Sequence, residues 1–374
     1  MRKWWPLVAV CLGAFMLLVD VTIVTVALPD MAEDLSTSFS DLQWVMDMYA
    51  LTLAALLLGA GSLADLVGRR RIYVAGLGLF AAASLVCGLA PDPALLIAAR
   101  GVQGIGGAAM LATTMALLNS AYQGRDRGVA FGIWGAVNGA AAAAGPILGG
   151  LLTEHFGWRW IFWVNLPVSV LAIVLTLRVV AESRNPRAEG VDVPGTASFT
   201  VAAAAVTYAL IRAGDEGWTD PAVLGLFALG AVALAVFAGV ERRRGHPMLD
   251  LGLLRKPSFV GVMLAALLLS AAAFSYLPFS SLWLQSSLGL GPVKAGLALV
   301  PMCAAAFVVS ALAGRFLHGA SPRWTIGGGL LLIAAGGFLQ AVLDAGSGWR
   351  ATVPGLVVTG LGVGIATPTL RSEE

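Results

Sequence analysis

Apolar residues in this 374-residue chain fall into long blocks, each bounded by glycine, proline or charged residues. The blocks are close to the roughly 20 residues that a helix needs to cross a hydrocarbon layer. Twelve are recognised, at 5–28, 42–63, 72–89, 94–118, 128–153, 159–180, 195–211, 221–240, 259–284, 293–316, 325–343 and 351–370. A helix is the expected form of each, because it satisfies its own backbone hydrogen bonds where no water is present. The predicted fold class is therefore an all-α polytopic membrane protein.

The polar connections alternate in charge. One set carries Arg2 and Lys3, Arg69 to Arg71, Arg125 and Arg127, Arg184 and Arg187, Arg242 to Arg244, Arg255 and Lys256, then Arg315 and Arg323. The other carries Asp30, Glu33, Asp34 and Asp41, then Asp92, Glu154, Asp215, Glu216 and Asp220. Cationic loops are retained in the cytoplasm, which predicts a cytoplasmic N-terminus and a multi-pass protein of the cell membrane. Arg159, Arg212, Lys294 and Arg350 are scattered exceptions at outer ends. The polar stretch ESRNPRAEGVD at 182–192 and the basic stretch that begins at Glu241 punctuate the chain. They predict a six-helix bundle at 1–183, a linker with two additional helices at 184–256, and a four-helix block at 257–374.

Composition agrees and excludes other classes. Hydrophobic residues make up 58% of the chain and charged residues 12%, with a mean hydropathy of +0.85. Soluble domains carry about 25% charged residues. The N-terminal apolar run continues past Asp20 without a small-residue cleavage site, unlike a secretory leader. Cys11, Cys87 and Cys303 stand singly within apolar blocks and read as packing residues. His155, His246 and His318 are far apart and read as loop residues. Neither set has metal-ligand spacing, no nucleophile–base constellation occurs, and no cofactor, metal or nucleic acid is implied. The chain does not read as an enzyme.

Ionisable groups at membrane depth are costly and therefore informative. Asp20 lies mid-span in LLVDVTIVTVALP, where a low dielectric disfavours the charged carboxyl and suits a group that takes up and releases a proton. Arg100 lies within LLIAARGVQGIGGAA and keeps its charge, so it needs an acceptor or a carboxylate. The competing structural roles are an interhelical hydrogen bond for Asp20 and a snorkelling cation for Arg100. Asp47 is a third intramembrane acid, close to a span end and read as solvated. Thr22, Gln103 and Asn138 are polar residues within spans and are candidate cavity-lining groups. In AAAAGPILGGLL, Ala141, Gly145 and Gly149 share one helix face, with Gly150 beside them, and Pro146 invites a bend. That is a close-packed, kinked seam. In GSLADLVGRRRIY at 61–73, Asp65 precedes Gly68 and the run Arg69, Arg70 and Arg71. An acid there can pair with those cations or with a helix N-terminus, in a contact that breaks and re-forms.

These stretches together resemble the major facilitator superfamily. GSLADLVGRRRIY matches its GxLaDrxGrkxxl loop at Gly61, Leu63, Asp65, Gly68, Arg69 and Arg70, with Leu66 and Tyr73 departing from it. LIAARGVQGIGGAA is similar to lxxxRxxqGxgaa, and AAAAGPILGGLL to the gxxxGPxxGGxl pattern of antiporters, with Ala141 for the first glycine. DVTIVTVALP at 20–29 resembles lDxTvvnvAlP of drug:proton antiporters, with Thr25 where asparagine is usual, and WRWIFWVNLP resembles the opening of their sixth span. Two additional helices, together with VDVPG at 191–195 and YALIRAGDEGW from Tyr208, resemble the fourteen-span subgroup. Membership implies proton-coupled efflux of small amphipathic drugs or antibiotics by alternating access about a midplane site. It implies Asp20 and Arg100 as the proton-coupling pair, the 61–73 loop as a conformational latch, and Gly145, Pro146, Gly149 and Gly150 as the antiporter seam. Partners would be the bilayer, a small-molecule substrate and protons, with no oligomeric state specified. A fourteen-span member is expected to have two further helices, so the chain reads as C-terminally truncated. The alternatives are an uptake symporter of the same fold and an inactive membrane protein acting as receptor or scaffold.

Overall fold

The computed structural model describes residues 2–185, 190, 192–243, 251–274, 277–316, 322–344 and 347–373. Arg187, Val191, Arg244, His246 and His318 lie outside the described residues. Regular structure among the described residues is helical throughout. In chain order the helices are α1 (Trp5–Asp34), α2 (Phe39–Val67), α3 (Arg69–Leu89), α4 (Pro93–Ala121) and α5 (Gly124–Phe156). The short α6 (Trp160–Trp163) and α7 (Asn165–Val179) follow, then α8 (Val193–Glu216) and α9 (Pro221–Arg243). The last are α10 (Pro257–Phe274), α11 (Leu277–Leu282), α12 (Pro292–Phe316), α13 (Pro322–Ala341) and α14 (Thr352–Glu373). Counting α6 with α7 as one span and α10 with α11 as another, twelve are long and apolar enough to cross a membrane. The chain is a multi-pass membrane protein.

Several helix starts are written in the sequence. Ser38 and Asp41 form a reciprocal capping box at α2, with Asp41 N donating to Ser38 Oγ at 3.1 Å. Asp92 caps α4 by accepting from Leu95 N at 2.9 Å, and Pro93 occupies the first turn, where a missing amide costs nothing. Asp192 does the same for α8, accepting from Gly195 N at 2.8 Å.

Three expectations change. α1 runs on through Pro29 to Asp34, so Asp30, Glu33 and Asp34 lie in its last turns and not in a loop. His155 sits in the last turn of α5, where Nδ1 meets the Leu151 carbonyl at 3.1 Å, and is not a loop residue. The ninth span is irregular, because Trp283–Ser287 form a π-helical turn after α11.

The chain divides into two compact units. One comprises residues 1–17, 32–134 and 162–252, the other 18–31, 135–161 and 253–374. α1 and α5 each contribute residues to both. In the first unit α4 packs on α2 and α3 through glycines. A Cβ at Gly106 would stand 2.8 Å from the Gly76 carbonyl oxygen, and one at Gly104 would stand 2.5 Å from that of Tyr49. Backbones this close leave no room for a side chain, which accounts for the QGIGG run. In the second unit α12, α13 and α14 pack in the same way, with Gly362 against the Gly329 carbonyl.

Candidate functional site

Arg100 is 1% exposed on α4, and neutral groups of α2 and α4 accept from its guanidinium. Nε donates to the Val45 carbonyl at 2.9 Å, and Nη1 donates to Gln103 Oε1 at 2.6 Å, one turn on. The guanidinium carbon lies 4.3 Å from the Tyr49 ring centroid and 5.8 Å from that of Phe162, a stacked geometry open to arginine and not to lysine. Gln103 passes the interaction on, since Nε2 donates to Ser84 Oγ at 2.8 Å and Asn165 Nδ2 reaches the same oxygen at 3.4 Å. One buried polar network thus joins α2, α3, α4 and α7. Tyr49, Ser84 and Asn165 were missed by sequence reasoning. Asn165 lies in the WRWIFWVNLP stretch, and its amide in an apolar run was the available signal.

The 61–73 turn is the second element. α2 ends at Val67 and α3 begins at Arg69, so Gly68 alone makes the reversal, at φ 129°. L-residues rarely hold that conformation. Asp65 pairs with Arg69, Oδ1 accepting from Nε at 2.9 Å and lying 2.8 Å from Nη2. Arg70 and Arg71 face a residue that the sequence did not single out, Glu182 beyond the end of α7. Gly61 packs loosely, its nearest neighbour being the Ala112 Cβ at 3.9 Å from where its own would stand.

The third element lies within the second unit. Asp20 is 0% exposed on α1, and Thr22 and Thr25 are buried nearby. Both threonine hydroxyls bond back to their own helix, Thr22 Oγ1 to the Leu18 carbonyl at 3.1 Å and Thr25 Oγ1 to that of Thr22 at 2.6 Å. The small residues of α5 receive this part of α1. A Cβ at Gly145 would collide with Thr22 Oγ1, and one at Gly149 would stand 2.8 Å from the Ile23 carbonyl oxygen. The neighbouring face of α5 meets α12: Gly150 abuts Pro292, and Gly296 abuts the Pro146 carbonyl. Cys303 Sγ lies 3.4 Å from the Ala142 carbonyl oxygen, as expected of a packing cysteine. Glu154 accepts from Val293 N at 3.1 Å and so caps α12.

Asn138 lies on the same buried stripe of α5, two turns before Gly145. It is 5% exposed. Gln285, in the π-helical turn, donates to the Val26 carbonyl of α1 at 2.9 Å and to Ser281 Oγ at 3.1 Å. Sequence reasoning passed over Gln285, which is a lone amide at the end of a long apolar run.

A family model described as Major Facilitator Superfamily matches residues 10–372. The chain is 38% identical over 360 residues to the Multidrug resistance protein Stp of Mycobacterium tuberculosis, covering 96% of this chain and 67% of that protein. It is 38% identical over 368 residues to the Puromycin resistance protein pur8 of Streptomyces alboniger, covering 97% and 73%. It is 35% identical over 371 residues to the Multidrug efflux pump LfrA of Mycolicibacterium smegmatis, covering 98% and 72%.

Proposed function

The chain belongs to the major facilitator superfamily, a transporter and not an enzyme, and from that membership we propose that it exports small amphipathic drugs or antibiotics in exchange for protons. The observation that carries the reading is similarity along nearly the whole chain to proteins named for multidrug or antibiotic resistance and efflux. The substrate class is taken from those names, and the fourteen-span subgroup from the paired helices α8 and α9. The cell membrane is the site of action, with the N-terminus in the cytoplasm, as the arginine-rich connections favour. The division at 1–183, 184–256 and 257–374 is part of the same reading.

Asp20 is the proton carrier in this scheme. A carboxyl wholly withdrawn from solvent on a membrane helix is a costly placement, which by default marks a functional residue. Arg100 modulates it as a fixed cation held by Gln103 and Val45. Thr22, Gln103 and Asn138 serve the substrate path, and the 61–73 turn latches one conformation. The Gly145, Pro146, Gly149 and Gly150 seam, close-packed and bent at the proline, shapes the outward closure. Alternating access about a midplane site is the cycle that this reading assigns to them.

The test is drug uptake into everted membrane vesicles under an imposed pH gradient, with Asp20→Asn as the comparison. Wild-type vesicles are expected to accumulate drug when the lumen is acidic and to discharge the gradient as they do so. Asp20→Asn is expected to bind drug and lose the response to the gradient. An undiminished response in Asp20→Asn would remove Asp20 from the mechanism, and no accumulation by the wild type would refute efflux.

A further inference from the structure

The first turn of α3 poses an electrostatic problem that the turn itself does not solve. Arg69, Arg70 and Arg71 stand at the positive end of the helix, no acid lies in that turn, and the cap position is Gly68, which has no side chain. Asp65 answers Arg69 alone. The rest is answered by a residue 112 positions beyond Arg70. Glu182 Oε1 accepts from Arg70 N at 3.0 Å and from Ser183 N at 3.0 Å. Oε2 lies 3.9 Å from Arg70 Nε and 3.8 Å from Arg71 Nε. A Cβ at Gly68 would stand 2.8 Å from the Glu182 carboxyl carbon, so glycine here also makes room for the acid.

The segment that carries Glu182 is stitched to the turn by its backbone. Arg69 N donates to the Ser183 carbonyl at 3.0 Å, Asn185 N to the Asp65 carbonyl at 3.1 Å, and Arg70 Nη1 to the Val180 carbonyl at 3.1 Å. We propose that Glu182 is the positioning residue of the 61–73 latch: it caps α3 from outside the helix and clamps the exit of α7 onto the α2–α3 turn. One oxygen is committed to amides, while the other is shared by two guanidiniums at ion-pair distance. Among the described residues that second oxygen makes no hydrogen bond. Such a carboxylate can release the α3 amide while its charge stays beside the guanidiniums, which lets the clamp loosen without leaving a bare charge. The three backbone-acceptor bonds remain when Glu182 is replaced, so the fold survives the test. The proposal rests on reading the turn as a latch in an efflux cycle.

Two measurements on the full chain separate that reading from the clamp. Hydrogen–deuterium exchange at the amides of residues 69–72 reports the clamp whether or not the chain transports anything. Glu182→Ala is expected to speed exchange there by about tenfold, and Glu182→Gln, which keeps an acceptor and loses the charge, by less. Drug binding and export form the second arm, in which Glu182→Ala keeps the drug Kd and lowers maximal export by about threefold or more. Unchanged exchange in Glu182→Ala overturns the proposal. Faster exchange with an unaltered maximal rate also overturns it, by leaving Glu182 as a structural cap only. If the wild type exports nothing, the efflux reading fails and the exchange result alone decides for or against the clamp.

Discussion

Gln103 holds Arg100 with its oxygen, 2.6 Å from Nη1, and gives its amide nitrogen to Ser84 at 2.8 Å. A permanent cation within the membrane is thereby anchored by a neutral side chain whose own second group is also satisfied. Truncating Gln103 would remove one hydrogen bond from each of two buried groups at once. Gln103→Ala is expected to destabilise the protein by about 1–3 kcal/mol, since leaving a buried donor or acceptor unmet costs that much. Thermal unfolding in detergent measures it. Gln103→Glu, which keeps the oxygen toward Arg100, is expected to retain more stability than Gln103→Leu.

The α1–α5 seam gives a graded series. Gly149→Ala places a Cβ 2.8 Å from the Ile23 carbonyl oxygen, and Gly145→Ala drives one into Thr22. Each is expected to cost about 1–3 kcal/mol of stability through forced helix separation, and to slow export. Gly61→Ala is the control, because the nearest neighbour is 3.9 Å away and the position is helical. There the exchange is expected to be neutral or stabilising by up to about 1 kcal/mol. Unfolding midpoints of the three variants decide the order.

Asn138 is a buried polar side chain on the α5 stripe. Asn138→Leu roughly keeps the volume and removes the amide, and is expected to change stability by less than about 1.5 kcal/mol. If the amide serves substrate, the same variant alters the profile of exported drugs. A fall in unfolding midpoint with an unchanged drug profile would mark Asn138 as structural.

Gln285 ties a π-helical turn to α1 at Val26, three residues before Pro29. Pro29 leaves the Thr25 carbonyl without its usual amide, next to the Val26 carbonyl that Gln285 reaches, so α1 is locally short of hydrogen bonds here. Gln285→Leu is expected to cost about 1 kcal/mol, the net worth of one such bond, and to raise amide exchange in residues 26–31. Protection that is unchanged there would mean that the α1 backbone does not depend on Gln285.

How far the chain explains itself differs from part to part. The twelve helices, the positions of Asp20 and Arg100 within spans and the small-residue face of α5 were all legible in sequence, whereas the helices on either side of Gly68 run further into the 61–73 stretch than the apolar blocks at 42–63 and 72–89 indicate. The legible features depend on local quantities: the length of an apolar run, a charge where charges are expensive, small residues on one helix face. Capping by Ser38, Asp92 and Asp192 is local as well. The continuation of α1 through Pro29 was not legible, because a proline inside an apolar helix is tolerated only when neighbours support the freed backbone.

Partners were decided only by tertiary structure. Nothing near Arg100 in sequence identifies Val45, Tyr49 or Ser84, and nothing near the arginine run identifies Glu182. Periodicity states which face of a helix is buried but not which helix will cover it. The 61–73 turn by itself specified a reversal and a surplus of positive charge. The acid that meets Arg70 and Arg71 was fixed by where the chain leaves α7, because hydrogen bonds of about 3 Å depend on atomic positions that only the packed helices set.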